Sequence, residues 1–207
     1  MGFVCQGRYA LAPIEPTDAE KYVNLQLDCM EQTYDPIYFD TLGESFTARH
    51  RAERNEYLED FHRHLSSPTV RGFFAYEVPG WTPDGGLSCS IGARINWDKP
   101  VGLALSLCEP SSWELERADN LPELPTGTRK LVHLYTLNHT HGTGLGQALY
   151  ESVIYPDENS YLWAMAENER ALSFYERLGY RNEGVYFQAR GSWEPGRSVR
   201  YTRILNP

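Results

Sequence analysis

Apolar residues fall in short runs and helical stripes along the chain, and the two clearest lie in its second half. Residues 131–137, Leu-Val-His-Leu-Tyr-Thr-Leu, predict a buried strand, and residues 148–154 continue as an amphipathic helix after a glycine-rich turn. Residues 161–166 predict a second buried strand. A second helix follows, in which Ala171, Phe174, Tyr175 and Leu178 recur at helical spacing between Asn168 as N-cap and Gly179 as stop. Upstream, weak alternation over residues 8–13 predicts a first strand closed by Pro13 and Pro16. Thr17 to Glu20 read as a capping box opening a helix of about twelve residues. Phe46, Tyr57, Leu58, Phe61 and Leu65 form the stripe of a second long helix over residues 45–65. Residues 73–78 and 101–107 predict strands, and residues 184–190 and 199–205, joined through Trp193 to Gly196, an antiparallel hairpin. Residues 79–100 are too long for a simple loop and carry strand character at 87–95, while residues 109–128 are rich in Pro, Glu and Asp. No internal repeat or low-complexity linker interrupts the chain.

A length of 207 residues suits one domain, residues 1–207, with room for a proper core. The 41% apolar content and 14 tyrosines point to an aromatic-rich surface as well. No apolar run approaches the roughly 18 residues that span a bilayer, and the N-terminus lacks a basic stretch followed by an apolar one, so a cytoplasmic location is expected. Cys5, Cys29, Cys89 and Cys108 lie far apart without a C-x-x-C, which indicates neither zinc site nor disulfide framework. A net charge of −9 argues against nucleic acid, whose affinity comes from clustered Lys and Arg. The same charge suits a cationic acceptor and equally suits simple solubility.

The turn between the first strand and helix, His141-Gly142-Thr143-Gly144-Leu145-Gly146-Gln147, has the makings of an anion site. Glycines permit positive φ and close backbone approach, and the free N–H groups and dipole of a helix start favour a negative group. The spacing fits neither the dinucleotide fingerprint nor the P-loop. Taken alone, the loop is as well explained by tight packing. Its neighbours decide: His141 to Gly146 resembles the [QR]-x-x-G-x-[GA] pyrophosphate loop, and Asn168 to Tyr180 resembles the N-x-x-A-x-x-F-Y-x-x-x-G-[FY] helix, of the GNAT superfamily of acyl-CoA-dependent N-acyltransferases. The two blocks match in order and spacing.

The resemblance implies an α/β (α+β) fold of GNAT type, a mixed and mostly antiparallel sheet of about seven strands with helices on both faces. The sheet should splay where the pyrophosphate-loop strand meets the strand around Leu162. It implies transfer of an acetyl group from acetyl-CoA to a primary amine by direct attack in a ternary complex. A small amine or amine-bearing antibiotic is the first expectation for the acceptor, a protein N-terminus or lysine the second. In the cofactor set, Leu134, Tyr135 and Thr136 match the strand that pairs with the pantetheine arm. The amides of Gly142, Thr143, Gly144, Leu145, Gly146 and Gln147 match the pyrophosphate cradle, His141 is placed to donate to a phosphate, and Asn168 matches a cofactor contact. Tyr175 matches the tyrosine that protonates the departing thiolate.

The chain also departs from the pattern. Members often carry a base glutamate near the start of the loop strand, and counting back from Leu134 puts Lys130 there. His133 is then the nearest titratable candidate base, although strict strand alternation turns it to the face opposite Lys130. No metal is expected, since His133, His139 and His141 lack a nearby acid or cysteine at ligand spacing, and His62 and His64 read as solvated surface. The acceptor site is expected between the first two helices and the 79–100 insertion, lined by Tyr34, Trp81 and Trp97. Expected partners are acetyl-CoA and the amine, with neither nucleic acid nor membrane, and assembly as a homodimer left open. The alternative is a catalytically silent CoA-binding sensor or interaction module.

Overall fold

The computed structural model describes residues 4–6, 8–81, 94–116 and 121–205. Most of the 87–95 segment and part of the 109–128 stretch lie outside them. The strands are β1 (Val4–Gln6), β2 (Tyr9–Pro13), β3 (Arg71–Glu77), β4 (Gly102–Leu107), β5 (Arg129–Thr136), β6 (Ser160–Met165), β7 (Arg181–Gln188) and β8 (Arg197–Arg203). They form one sheet in the order β1-β2-β3-β4-β5-β6-β8-β7, a strand more than expected. Every adjacent pair is antiparallel except β5 and β6.

The helices are α1 (Ala19–Leu42), α2 (Phe46–Ala52), α3 (Arg54–Leu65), α4 (Ser112–Leu115), α5 (Leu145–Val153) and α6 (Glu169–Arg177). Helix α1 is twice the expected length. It keeps Tyr22, Val23, Leu27, Met30, Tyr34 and Tyr38 buried and runs through Pro36 before Gly43, at φ 68°, closes it by donating to the Phe39 carbonyl. The capping box lies two residues earlier than read, with Glu15 and Asp18 capping a 3-10 turn at Pro16–Asp18. The single helix expected over residues 45–65 is two, α2 capped by the Ser45 hydroxyl and α3 starting after Glu53. Among the described residues, no helix is long and apolar enough to cross a membrane.

Two cores sandwich the sheet. On one face α1 to α3 cover Tyr76, Leu103, Leu105 and Leu107; on the other α5 and α6 cover Leu11, Ala104, Leu131, Leu162 and Val199. At the rate of about 25 cal/mol per Å² of apolar area removed from water, these layers supply the main drive to fold. Between β5 and β6 the sheet opens. The strands pair in parallel only at Arg129↔Ser160, Lys130↔Tyr161 and Leu131↔Leu162, so the remainder of β5 has lost its partner on that side. A strand edge without a partner presents free N–H and C=O groups.

A second irregularity lies in the same strand. Ser106 faces Leu131 but Leu105 faces His133, so Val132 is an extra residue. This β-bulge breaks the two-residue alternation. Leu105 and Leu107 belong to the α1 side of the sheet, and Lys130 and His133 pair with them. The two residues therefore share a face, and the argument from strict alternation against His133 is corrected.

Candidate active site

The wedge between β5 and β6 contains a cavity of about 380 Å³. Its walls include Leu134, Tyr135 and Thr136 from β5, His141, Gly142, Gly144, Leu145, Gly146 and Gln147 from the turn and α5, and Asn168, Phe174 and Tyr175 from α6. His133 lines it too. Of the residues expected at the site only Thr143 stays out. Its hydroxyl donates to the Thr140 carbonyl at 2.6 Å and meets the Tyr9 hydroxyl at 2.8 Å, and its N–H is spent on Thr140. Thr143 anchors the loop to the sheet.

The turn is built to leave donors free. Gly142 and Gly144 take φ of 75° and 87°, where an L side chain is strained, and this left-handed step aims successive amides at one place. Among the described residues, the N–H groups of Gly142, Gly144, Leu145, Gly146 and Gln147 have no acceptor. They sit at the N-terminus of α5 and suit a pyrophosphate. Gly146 has ordinary helical φ, and a Cβ there would meet the Phe174 ring at 3.5 Å, so its smallness concerns packing rather than backbone strain. Together with the unpaired edge of β5, the donor set fits the phosphates and extended amide arm of CoA.

His141 and Arg170 meet across the cleft. The guanidinium lies 2.6 Å from His141 Nε2, and burial followed by that cation lowers the histidine pKa. Asn168 caps α6 through the Ala171 N–H at 3.2 Å and also bonds the Tyr34 hydroxyl, so much of its capacity is spent inside the protein. Tyr175 is buried to 8% exposure, and that burial, with Tyr34 adding to it, raises its pKa. At neutral pH the phenol keeps its proton. His139 is exposed beside Glu77 at 3.6 Å, so the three histidines near the loop each face a different neighbour.

Sequence reasoning missed a second cavity of about 570 Å³ on the α1 to α3 side. Tyr34, Val132, His133, Tyr135, Trp163 and Ala164 line both cavities, which therefore meet at the splay. Helix α3 turns Glu56, Tyr57, Asp60 and His64 into it, with Glu53 just before. Trp163, Phe187 and Trp193 add aromatic surface. Of the residues expected around the acceptor only Tyr34 is here. Trp81 is exposed, and Trp97 packs on the Tyr76 ring at 4.9 Å. His64 is half-buried in this wall rather than solvated, because α3 breaks from α2 and turns that face inward. The helical spacing of Glu53, Glu56, Tyr57, Asp60 and His64 was the available signal.

Lys130 ends in the floor of the second cavity. Its ammonium forms a buried ion pair with Glu114 and donates to the Ser111 hydroxyl at 2.6 Å. Burial lowers the lysine pKa. Burial alone would raise Glu114, but Lys130, the Ser111 N–H and the Trp163 indole N–H hold its carboxyl below the usual range. A carboxylate so fully occupied does not replace the missing base.

Residues 119–188, the segment that carries β5 through β7, match the family model described as FR47-like protein. No curated protein matches the chain. Solved structures of similar fold include a Corynebacterium glutamicum protein described as histone acetyltransferase HPA2 and related acetyltransferase, with 21% identity, TM-score 0.55 and 95% of this chain covered against 97% of that one. The PaiA N-acetyltransferase of Thermoplasma acidophilum, solved with coenzyme A, gives 14% identity, TM-score 0.51 and coverage of 93% and 97%. A spermidine N-acetyltransferase variant from Vibrio cholerae gives 16%, 0.51, and coverage of 96% and 94%. At such identities the likeness is one of fold. The chain thus has the fold of these acetyltransferases along nearly its whole length, and the segment that builds the cleft carries the match to the FR47-like model.

Proposed function

We propose that the protein transfers the acetyl group of acetyl-CoA to a primary amine, with acetyl-CoA in the β5/β6 wedge and the amine entering from the second cavity. The observation that carries this reading is the meeting of the two cavities at the splay, beside free loop amides on one side and His133 and Trp163 at the junction. Two substrates delivered from opposite faces to one seam can react directly, and positioning of this kind supplies much of the rate. The loop amides hold the pyrophosphate, and the open edge of Leu134 to Thr136 pairs with the pantetheine arm. The amine lone pair forms the C–N bond as the C–S bond breaks. Tyr175 gives its phenol proton to the thiolate, and the proton shed by the new amide nitrogen restores the phenol through solvent. Glu53 and Glu56 at the second cavity suit an acceptor that arrives as a cation.

Calorimetry with CoA and free-thiol release from acetyl-CoA across a primary-amine panel test the proposal. Micromolar binding with amine-dependent release is expected. Binding without release by any amine would reassign the chain as a CoA-binding sensor or interaction module, and absence of binding would remove the cofactor reading altogether.

A further inference from the structure

His133 stands at the junction of the two cavities. Its ring nitrogens are not equivalent. Nδ1 lies 2.6 Å from the hydroxyl of Tyr22, on α1. Tyr22 is 1% exposed, and among the described residues its hydroxyl has no other hydrogen-bond partner. Two proton arrangements share that distance. If Nδ1 carries the proton, the phenol accepts, and its own O–H is left buried without an acceptor, which is the costly arrangement. If the phenol donates, every proton is placed: Tyr22 O–H bonds Nδ1, and the imidazole proton sits on Nε2.

Nε2 is not among the buried polar atoms left without a partner, a set that holds Arg49 Nε, His50 Nε2, His64 Nδ1 and the Tyr76 hydroxyl among the described residues. It has no hydrogen-bond partner among the described residues either, and His133 lines both cavities, so Nε2 is open to them. The ring's surroundings disfavour a positive charge. His64 lies 5.8 Å away between ring centroids, the Lys130 ammonium shares the face, and the remaining ring neighbours are Tyr22 and Tyr135. Burial first, then the nearby His64 and Lys130, push the His133 pKa well below its ordinary value.

Resting on the function proposed above, we infer that His133 serves acetyl transfer as a neutral hydrogen-bond donor, its Nε2–H aimed at the thioester carbonyl oxygen, and that Tyr22 is the positioning residue that fixes this tautomer. A neutral imidazole held in one tautomer can polarise a carbonyl without giving up its proton. The amine then reaches the seam already deprotonated, having lost its proton to solvent, and no base at His133 is required.

The free, full-length protein tests this first. Long-range 1H–15N spectra, assigned with His133→Gln, should show His133 neutral at pH 7 with a bare Nδ1 and a protonated Nε2. Tyr22→Phe should convert that signal to a mixture of tautomers. An Nδ1–H tautomer, or an imidazolium, overturns the inference without touching the function proposed. Turnover follows, measured as free-thiol release with an alkyldiamine, an arylalkylamine and a short peptide as acceptors. His133→Gln keeps a donor but no base and should hold kcat within about tenfold of the parent, whereas His133→Leu should lose about a hundred- to a thousandfold, with CoA affinity unchanged in both. Equal loss in the two variants would make His133 a base and refute the donor role. Failure of the parent to bind CoA would instead sink the functional reading, leaving the tautomer measurement to stand or fall on its own.

Discussion

Gly144→Ala isolates the contribution of one backbone conformation to cofactor binding. Gly144 sits at φ 87° and ψ −5°, just before α5, and an added Cβ would have no heavy atom within 4 Å. Steric collision therefore adds nothing to the cost, and only left-handed strain remains, about 1–2 kcal/mol for an L residue. For a chain of this size each kcal/mol moves Tm by roughly 2–4 °C, so a fall of about 2–8 °C is expected. Relief of the strain by rotating the adjoining peptides would turn an amide away from the phosphates. One charge-assisted hydrogen bond lost, about 1.5–3 kcal/mol, raises the Kd for CoA by about ten- to a hundredfold. Gly146→Ala is the internal control. Its φ is helical and its Cβ would make ordinary contact with Phe174, so stability should hold or rise by up to about 1 kcal/mol with CoA affinity near that of the parent. Melting curves and calorimetry on the three proteins decide the matter. Parent affinity in Gly144→Ala, or an equal loss in Gly146→Ala, would show that the loop conformation does not aim the amides at CoA.

Three further outcomes are expected. Tyr175→Phe should lower kcat by about ten- to a thousandfold with little change in the KM for acetyl-CoA if the phenol has the proposed role of protonating the departing thiolate; parent turnover would return the residue to packing. Burial would raise the Glu158 pKa, but the paired bonds from Arg71 at 2.6 and 2.8 Å, the Tyr155 N–H and Arg129 hold it at about 2. A depressed carboxyl stabilises the fold fully above its ordinary value near 4.5 and loses that contribution as pH falls toward 2, about 1 kcal/mol once solvent screening is allowed for, so denaturant titrations of Glu158→Gln should show a flatter acid limb than the parent. Lys130→Met leaves the Glu114 carboxylate buried without its partner and should cost about 3–5 kcal/mol, most of which Glu114→Gln added in the same chain should restore; an undiminished Tm in the single variant would contradict a buried pair.

The proposed cofactor half of the site was legible because its signals are local. Loop glycines, the Asn168 cap and the Gly179 stop at φ 88° are fixed by neighbours within a few residues, and each stands where the sequence put it. Thr143 was the exception, since only its distant partner Tyr9 shows that its side chain faces the sheet. The acceptor half was not legible. Its walls come from α3, the Ser111 to Trp113 turn and the segment after β7, which converge only through tertiary packing. The length of α1 was not legible, because the burial of Tyr34 and Tyr38, which carries the helix past Pro36, comes from tertiary packing. Lys130 was found at the base position, but its partner Glu114 belongs to a stretch read as irregular.

The extra residue at Val132 gives β5 two phases. Before it, Leu131 points into the α5 core; after it, Leu134 does so again, three positions on rather than two or four. Beyond the bulge, Leu134 faces α5, while His133 and Tyr135 face the α1 side at the junction of the two cavities. The two faces of β5 therefore keep separate phases, so a substitution at Leu134 bears on the α5 core and one at Tyr135 on the layer beneath α1, although a single strand carries both.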